Sequence, residues 1–292
     1  MHTPSATQLV NADLHCHSVV SDGTLTPEEL AVRAKGNGVE LWSLTDHDEV
    51  GGQRRAIAAA HAVGLPYLTG TEISVTFASV TVHIVGLGFD PDHPALVQGL
   101  AQTRGGRGER AQEMSDQLAA VGIKGAYEGA LKYVGNPELI SRTHFARFLV
   151  EAGVCHDTYE VFRRYLTEGK PGFVPHRWAK LGDAVRWIRE AGGMAVIAHP
   201  ARYAHSPTAE YALFTEFVAH GGQGVEVVTG SHSPDEYGTY ADMALEFGLM
   251  ASRGSDFHSP KESHTDLGTL PPLPGKLSPV WHALADRIHW PN

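Results

Sequence analysis

The sequence predicts an α/β protein, a distorted seven-stranded (β/α)7 barrel with an all-helical insertion. Seven short apolar segments have the pattern of strands, and helical patterns follow most of them, which favours a mainly parallel sheet. Residues 101–175 instead contain four helical segments and no strand pattern. The length of 292 residues suits one large domain or a domain with an insertion. We therefore predict a first barrel part at 1–100, the insertion (a cap over the substrate) at 101–175 and a second barrel part at 176–292.

The first predicted strands are separated by helices with recognisable ends. The stretch Thr26–Glu29 supplies an N-cap, a proline at the first helical position and a capping-box glutamate, so a helix should begin here and stop near Gly36 or Gly38. Residues 52–63 predict the next helix. In chain order, the strands are predicted at LVNADLHCH, LWSLTDHD, PYLTGTEIS, TVHIVGLGF, MAVIAHP, GVEVVTG and LMASRGSDFH.

The connection between the third and fourth strands departs from the parallel pattern. Only ten residues separate Glu72 from His83, and they show no helical pattern. A parallel crossover needs about a dozen residues or more and usually contains a helix. We therefore expect a hairpin that turns near Ala78 and Ser79, which would return His83 to the edge where Glu72 lies.

The predicted insertion differs from the rest of the chain in charge. Residues 101–190 hold 14 of the 23 Lys and Arg and 11 of the 33 Asp and Glu, a net charge of +3, which leaves −13 for the remainder. An acidic body that binds divalent cations, joined to a basic segment that meets an anionic substrate, would explain the division. Ordinary variation between surfaces explains it equally well.

Composition excludes several classes of protein. No apolar run approaches eighteen residues, so we expect no membrane span. The first ten residues lack the basic start and apolar stretch of a signal peptide. Cys16 and Cys155 are the only cysteines, which argues against a disulfide scaffold and for a reducing cytoplasm. The count of 18 His residues prompts a search for metal ligands.

Metal-binding residue types recur at the ends of the predicted strands. Asp13, His15 and His17 alternate along the first strand and share a face, while Cys16 faces the core. In barrels of this kind, chemistry gathers at the carboxyl ends of the strands. Since buried charges without partners are costly, convergence of these groups predicts a metal site. The other strand ends with such residues are TDHD (45–48), GTE (70–72), AHP (198–200) and SDFH (255–258).

The ordered motifs resemble those of the PHP (polymerase and histidinol phosphatase) superfamily. The matching stretches are DLHCHSVVSDG, LTDHD, GTE, VHIVG, AHP and GSDFH, which cover essentially the whole chain outside the insertion. The resemblance implies a distorted seven-stranded barrel of PHP type that holds three divalent metal ions and hydrolyses phosphoesters. Manganese is the ion that the resemblance favours. The nitrogen and oxygen donors also suit Zn2+ or Fe2+, and intrinsic affinity favours zinc over manganese.

The same resemblance assigns ligands by position. One ion would be held by His15, His17, Glu72 and Asp256. A second would be held by Glu72, His83 and His199, with Glu72 bridging the two ions. A third would be held by Asp22, His47 and His258, although many relatives have His at the position of Asp22. The carboxylates expected to orient imidazoles are Asp13, Asp46 and Asp48, for which a capping or turn role is an equal alternative.

This ligand set predicts hydrolysis by an activated water. Two ions bridged by Glu72 can share a hydroxide, because metal binding lowers the pKa of water from 15.7 towards about 7. The sequence has no G-x-S-x-G, P-loop or GxGxxG motif that would indicate another mechanism. His205 is a candidate acid for the leaving group, with an ordinary surface histidine as the alternative.

The insertion supplies the candidate substrate residues. Ser141, Arg142 and His144 lie where a helix should begin, which favours an anion. The stretch that returns the chain to the barrel offers further cations and Phe173 for stacking on a base, and the alternative is a solvated hinge. These cationic candidates are Lys170, His176 and Arg177.

The insertion, with SRTHFAR and PGFVPH, resembles a PHP subgroup of stand-alone nucleotide phosphoesterases. That resemblance implies hydrolysis of the 3′-phosphate of a 3′,5′-nucleoside bisphosphate, giving a nucleoside 5′-monophosphate and phosphate. The alternatives are a 5′ to 3′ exoribonuclease on short RNA, a histidinol-phosphate phosphatase, and a metal-stabilised accessory module without activity. Neither a membrane nor a protein partner is implied.

Overall fold

The computed structural model describes residues 10–203 and 205–291. Residues 1–9 lie outside this range, and they include the start of the predicted first strand and most of the stretch examined for a signal peptide. Within the described residues, no helix is long and apolar enough to cross a bilayer.

The described residues confirm an α/β fold. A parallel pair joins the two short strands β1 and β2, and a five-stranded sheet has the order β3-β4-β5-β6-β7. In that sheet β3, β4 and β5 pair antiparallel, whereas β5, β6 and β7 pair parallel. The strands are β1 (Ala12–Asp13), β2 (Leu41–Trp42), β3 (Gly70–Phe77), β4 (Val80–Leu87), β5 (Met194–Ile197), β6 (Gly224–Thr229) and β7 (Met250–Gly254).

Backbone hydrogen bonds define two sheets among the described residues, so a closed seven-stranded barrel is not confirmed. Separate bonds nevertheless join the sheet edges. The amide of Leu14 donates to the carbonyl of Arg253 (3.0 Å), and the amide of Glu72 donates to the carbonyl of Asp46 (3.2 Å). The segments that follow β1, β2 and β7 therefore lie side by side at one rim.

The helices cover the sheets and fill the connection between β4 and β5. The first two agree with the prediction, and Thr26 and Glu29 form the expected capping box. The helices are α1 (Pro27–Gly36), α2 (Gln53–Ala62), α3 (Pro94–Arg104), α4 (Arg107–Ala120), α5 (Ala126–Leu131), α6 (Arg142–Glu151), α7 (Thr158–Val161), α8 (Leu181–Glu190), α9 (Pro207–Ala219), α10 (Pro234–Glu246) and α11 (Val280–Ala283).

The predicted hairpin is confirmed. Strands β3 and β4 are antiparallel, and Ala78 and Ser79 turn the chain with φ values of 46° and 66°. Left-handed backbone at both central residues suits a two-residue hairpin turn, because its twist matches that of the strands. The hairpin brings His83 back beside Glu72, where the two side chains meet at 2.8 Å.

The chain between β4 and β5 contains helices and no strand among its described residues. Helices α4 to α6 share an apolar cluster that includes Met114, Leu118 and Phe145. Leu96 and Leu100 of α3 instead pack into the core beneath the five-stranded sheet. Since α3 ends at Arg104, a boundary at residue 101 would cut this helix, and the packing changes only after it. The three-part division itself stays a prediction.

The core agrees with the expected role of the first cysteine. Cys16 is fully buried, and the indole of Trp42 donates to its Sγ at 3.2 Å. Cys155 is buried as well, and both cysteines are free. The largest core cluster fills the space between the five-stranded sheet and helices α8 to α10, with Ile197, Phe214 and Val225 among its members.

Candidate metal centre

Two histidines that follow β1 enter one buried pocket. His15 and His17 are fully buried, and their Nε2 atoms lie 3.2 Å apart. Gly254 on β7 permits this packing, because a Cβ at that position would lie 2.3 Å from the Cβ of His15. The same close approach brings the residues after β7 against those after β1.

Three residues of the first predicted ligand set, His15, His17 and Asp256, form one group, and Glu72 lies beside both histidines. Asp256 Oδ1 lies 3.5 Å from the Nε2 of His15 and 3.4 Å from that of His17. The two carboxylate oxygens of Glu72 each lie 3.4 Å from one of these nitrogens. Ligands of a tetrahedral ion at about 2.0–2.2 Å are separated by about 3.3–3.6 Å, which these distances match.

Glu72 is the common member of the remaining contacts. Its Oε1 lies 2.8 Å from Nδ1 of His83 and 2.9 Å from Nε2 of His199. Its Oε2 lies 2.9 Å from Nδ1 of His47. The predicted second set is therefore assembled around this carboxylate, but its histidines fall into two groups. His199 joins His15 and Glu72, while His83 joins His47 and Glu72.

The three residues of the predicted third set, Asp22, His47 and His258, also lie close together, and His17 joins them. Asp22 Oδ1 lies 3.5 Å from Nε2 of His258 and 3.8 Å from Nε2 of His47. The other ring nitrogen of His17, Nδ1, lies 4.0 Å from the same oxygen. The ring of His17 stacks on those of His47 and His258, with centroids 4.4 and 4.1 Å away. His17 therefore stands between the first and third sets.

Several buried atoms of these residues have no hydrogen-bond partner among the described residues. A buried polar atom left unpaired costs about 1–3 kcal/mol, so several in one pocket indicate a missing partner. Divalent cations bound in this pocket would satisfy them, because each atom can supply a lone pair. His47 Nδ1 belongs with them, since its short approach to Glu72 lacks hydrogen-bond geometry. The atoms are His17 Nδ1, Asp22 Oδ1, His47 Nδ1, Glu72 Oε2 and Asp256 Oδ1.

Three residues at this rim have left-handed backbone. The φ angles are 49° at Asp48, 25° at His199 and 54° at Asp256. Such conformations cost about 1–3 kcal/mol each and persist where surrounding structure enforces them, often at functional sites. At His199 and Asp256 they turn the chain two residues after a strand ends, and at Asp48 they turn it one residue after His47.

Glu226 on β6 contacts the candidate ligands, although it was not predicted from the sequence. Its Oε1 accepts from Nδ1 of His15, and its Oε2 accepts from the backbone amide of His199, both at 2.7 Å. The bond to Nδ1 fixes the tautomer and leaves Nε2 of His15 facing the other ligands. The sequence does show one carboxylate within the apolar strand GVEVVT, and such a residue in a buried strand indicates a specific partner.

The three aspartates expected to orient imidazoles have other partners among the described residues. Asp13 accepts from the amides of Ser255 and Gly268. Asp46 accepts from the amide and hydroxyl of Ser18 and from another serine hydroxyl. These carboxylates hold the loops that carry the ligands, because a short side chain next to a turn meets backbone N–H groups first.

Asp48 likewise binds no imidazole among the described residues, and it links the rim to α4. It accepts from the amide and hydroxyl of Ser74 and pairs with the guanidinium of Arg107. Both members of this ion pair are buried. The alternative turn role considered for the three aspartates therefore applies to Asp48 as well, with an added contact to the helical segment.

The charges in the pocket are strongly coupled. Burial alone would lower the pKa of His15, but Glu226 and Glu72 outweigh it and hold that pKa well above its usual value. Burial alone would raise the pKa of Glu72, yet the surrounding histidines hold it well below the usual range. Burial and neighbouring histidines lower the pKa of His17 to about 3. Protons and metal ions therefore compete for the same atoms.

A cavity beside the ligands is lined by arginines of the helical segment. Of the predicted substrate residues, Ser141 and Arg142 lie in its wall, and Arg107 and Arg110 were missed. Neither Arg110 nor Arg142 has a carboxylate oxygen within 4.0 Å among the described residues, and each donates to a carbonyl instead. Burial and neighbouring cations lower their pKa values to about 9 and about 10. An anion bound here would relieve this repulsion. The guanidinium carbons of Arg107 and Arg110 lie over the ring of Trp178, 4.5 and 5.5 Å from its centroid.

The structure does not bring the other predicted residues into this cavity. The Nδ1 of His144 accepts from the amide of Ser141 and caps α6, so this histidine is used locally. His176 packs against the ring of Trp178. His205, the candidate acid, packs against Phe77 instead of lining the cavity. Three further residues are also absent from its wall: Lys170, Phe173 and Arg177.

A larger groove, of about 840 Å3, lies between α6 and residues 259–264. It contains none of the predicted metal ligands. The smaller cavity is therefore the candidate site, since it contains both candidate metal ligands and arginines.

Comparison with known proteins agrees with this geometry. The PHP domain matches residues 13–148. The chain is 52% identical over 280 residues to a 3′,5′-nucleoside bisphosphate phosphatase of Chromobacterium violaceum, which covers 96% of this chain and 98% of the relative. It is 39% identical over 275 residues to the 5′-3′ exoribonuclease Rnm of Escherichia coli, covering 92% of each chain. A solved amidohydrolase from Chromobacterium violaceum, with bound sulfate and no metal, superposes with a TM-score of 0.94 at 52% identity over 97% of this chain and 98% of its own.

Proposed function

Because this chain belongs to the PHP domain family, we propose that it is a metal-dependent phosphatase acting on a small nucleotide. The proposed substrate is a 3′,5′-nucleoside bisphosphate, whose 3′-phosphate is removed to give a nucleoside 5′-monophosphate and inorganic phosphate. The relative from Chromobacterium violaceum is named for this activity and is similar over nearly its whole length.

We assign the buried carboxylates and imidazoles to three divalent ions, with Mn2+ favoured over Zn2+ or Fe2+ by the earlier resemblance. When bound, such ions supply activation of water and neutralisation of phosphoryl charge. The convergent, unpaired donor atoms support this assignment, and none of them is a thiolate. The proposed ligand sets are His15, His17, Glu72 and Asp256; Glu72, His83 and His199; and Asp22, His47 and His258.

One observation carries the substrate assignment. Arg110 and Arg142 face the cavity that also contains His47 and Asp256, and neither has a carboxylate partner among the described residues. Partly buried cations without counterions carry a desolvation cost, so this wall should bind an anion. A nucleotide with two phosphates can place one at the metal ligands and the other at these guanidinium groups, which bind phosphate oxygens in pairs.

The remaining side chains position these groups. Glu226 keeps the proton of His15 on Nδ1, so that Nε2 is free to act as a ligand. Trp178 holds two guanidinium groups against its ring, which limits the rotamer entropy lost when an anion binds. Aromatic contact with the base is proposed for Phe162, which lines the same cavity.

The wider architecture is proposed in the same terms. The seven strands form a distorted barrel, residues 101–175 form a cap over its rim, and the two barrel parts come from residues 1–100 and 176–292. Cytoplasmic location is proposed on the two free thiols, which suit a reducing compartment.

An exoribonuclease on short RNA is the second candidate. A neighbouring cavity shares Asp256, His258 and Phe162 with the first and is rich in serine and threonine hydroxyls. It offers space for a further nucleotide beyond the reacting phosphate. The relative from Escherichia coli carries a name of this class.

The test compares substrates on one enzyme preparation. Metal-stripped protein, reconstituted with Mn2+, is given adenosine 3′,5′-bisphosphate, a short 5′-phosphorylated RNA and histidinol phosphate. We expect phosphate release from the bisphosphate to exceed the other reactions by at least tenfold in kcat/KM. Cleavage of the RNA alone would establish the second candidate, and turnover of histidinol phosphate alone would exclude both.

A further inference from the structure

Arg202 lies one short turn beyond β5, next to a predicted metal ligand. The turn Pro200–Arg202 is closed by a bond from the amide of Arg202 to the carbonyl of His199 at 3.0 Å. The hydroxyl of Tyr203 donates to the carbonyl of Ala198 at 2.9 Å and accepts from the amide of His83 at 2.8 Å. The backbone that carries Arg202 is therefore held from both sides.

The guanidinium of Arg202 is aimed by Asp256. Its Nη1 donates to Oδ2 of Asp256 at 2.8 Å, and the hydroxyl of Ser231 donates to the same oxygen at 3.1 Å. These two bonds occupy Oδ2, so that Oδ1 remains turned towards His15 and His17. One carboxylate thus serves the metal pocket with one oxygen and fixes the arginine with the other.

Most donors of this guanidinium have no acceptor among the described residues. Asp256 is its one hydrogen-bond acceptor among the described residues, whereas a guanidinium has five N–H groups. The side chain is 49% exposed, although the carboxylate that it binds is only 7% exposed. Arg202 lines both the arginine-rich cavity and the neighbouring hydroxyl-rich cavity, and both include Asp256 and His258. Its open donors therefore face the space next to the metal ligands.

The geometry points to Arg202 as the residue that binds the phosphoryl group undergoing hydrolysis. It does so by donating two N–H groups to two of the non-bridging oxygens, a match that the planar fork of arginine provides. This inference rests on the proposed function. It gives Arg202 a role distinct from Arg110 and Arg142, which hold the second phosphate. The positive charge of the Arg202 guanidinium would also stabilise negative charge that develops on those oxygens during the reaction.

Inorganic phosphate is the probe that separates this inference from the substrate assignment. Its affinity for Mn2+-loaded protein is measured by calorimetry for wild type, Arg202→Gln and Arg202→Lys, together with metal content per chain. Arg54→Gln is the matched control, since it removes an equal charge from an exposed pair with Asp92. A charged hydrogen bond contributes about 1.5–3 kcal/mol, so we expect about 10- to 150-fold weaker phosphate binding in Arg202→Gln.

Further outcomes decide the role. Metal content should stay at the wild-type level in both Arg202 variants, and Arg202→Lys should lose part of the affinity because it keeps the charge without the fork. Unchanged phosphate affinity in Arg202→Gln, or loss of affinity that merely follows loss of metal, would overturn the inference. If wild type hydrolyses no bisphosphate but its phosphate binding still depends on Arg202, the substrate proposal fails and this one stands.

Discussion

Replacing Glu226 by glutamine tests how the buried imidazoles are held. The glutamate is 1% exposed and accepts two bonds of 2.7 Å, from Nδ1–H of His15 and from the amide of His199. Glutamine has one oxygen and one NH2 group in place of two oxygens. One of the two donors must therefore face another donor, and the negative charge beside His15 is lost.

The size of the effect follows from these two bonds. A hydrogen bond to a charged group contributes about 1.5–3 kcal/mol, and the substitution removes one such bond and weakens the other. We expect the free energy of unfolding of the metal-free protein to fall by about 2–3 kcal/mol. Loss of a group that orients a ligand imidazole typically weakens metal affinity by about 10- to 100-fold, and we expect Mn2+ binding to weaken within that range.

The assay combines calorimetric titration of metal-stripped protein with Mn2+ and urea unfolding in the presence of a chelator. Glu216→Gln is the control, because Glu216 is exposed and pairs with His220 on the surface. A Glu226→Gln protein that binds Mn2+ within twofold of wild type would refute the reasoning. It would mean that the bond to Nδ1 does not orient His15.

Three further predictions concern the metals and the second phosphate. Glu72→Gln should lower metal content by about two ions per chain in elemental analysis, because the Glu72 carboxylate lies within 3.4 Å of five histidines, and full occupancy would contradict its bridging role. Arg142→Gln should raise KM for the bisphosphate by at least about tenfold with metal content unchanged, and unaltered kinetics would remove Arg142 from the phosphate site. Mn2+ affinity should rise between pH 7 and 9. Burial alone would lower the pKa of His47, but Glu72 and Asp22 outweigh it and raise that pKa to about 9. Below this pH the metal must displace a proton from His47, so its affinity is weaker there. A pH-independent affinity, with no proton release in calorimetry, would exclude that competition.

Much of the site could be predicted from the sequence because its residues follow strand ends. The alternation of His15 and His17 places both on one face, and the short link between Glu72 and His83 requires a hairpin. Each of these features depends on local geometry, which the chain encodes directly. The antiparallel pairing of β3 and β4 confirms the second of them.

What could not be predicted depends on packing between distant segments. Arg107 and Arg110 lie on α4, and their approach to the ligands depends on how this helix rests on the rim, which no local pattern reports. Glu226 lies inside a strand, away from the strand ends that carry the candidate ligands, and its contacts depend on the neighbouring strands. His144 was assigned to an anion because it begins a helix, yet the helix itself uses its ring.

The buried pair between Arg107 and Asp48 has a consequence for any shortened form of this protein. Deleting the segment from 101 to 175 would leave the aspartate enclosed without its cation, at a cost of about 3–5 kcal/mol. Asp48 also anchors Ser74 on the hairpin, so the damage would reach the floor of the pocket. The helical segment therefore stabilises the hairpin that carries Glu72 and His83, and removing it would disturb the candidate site even in the absence of substrate.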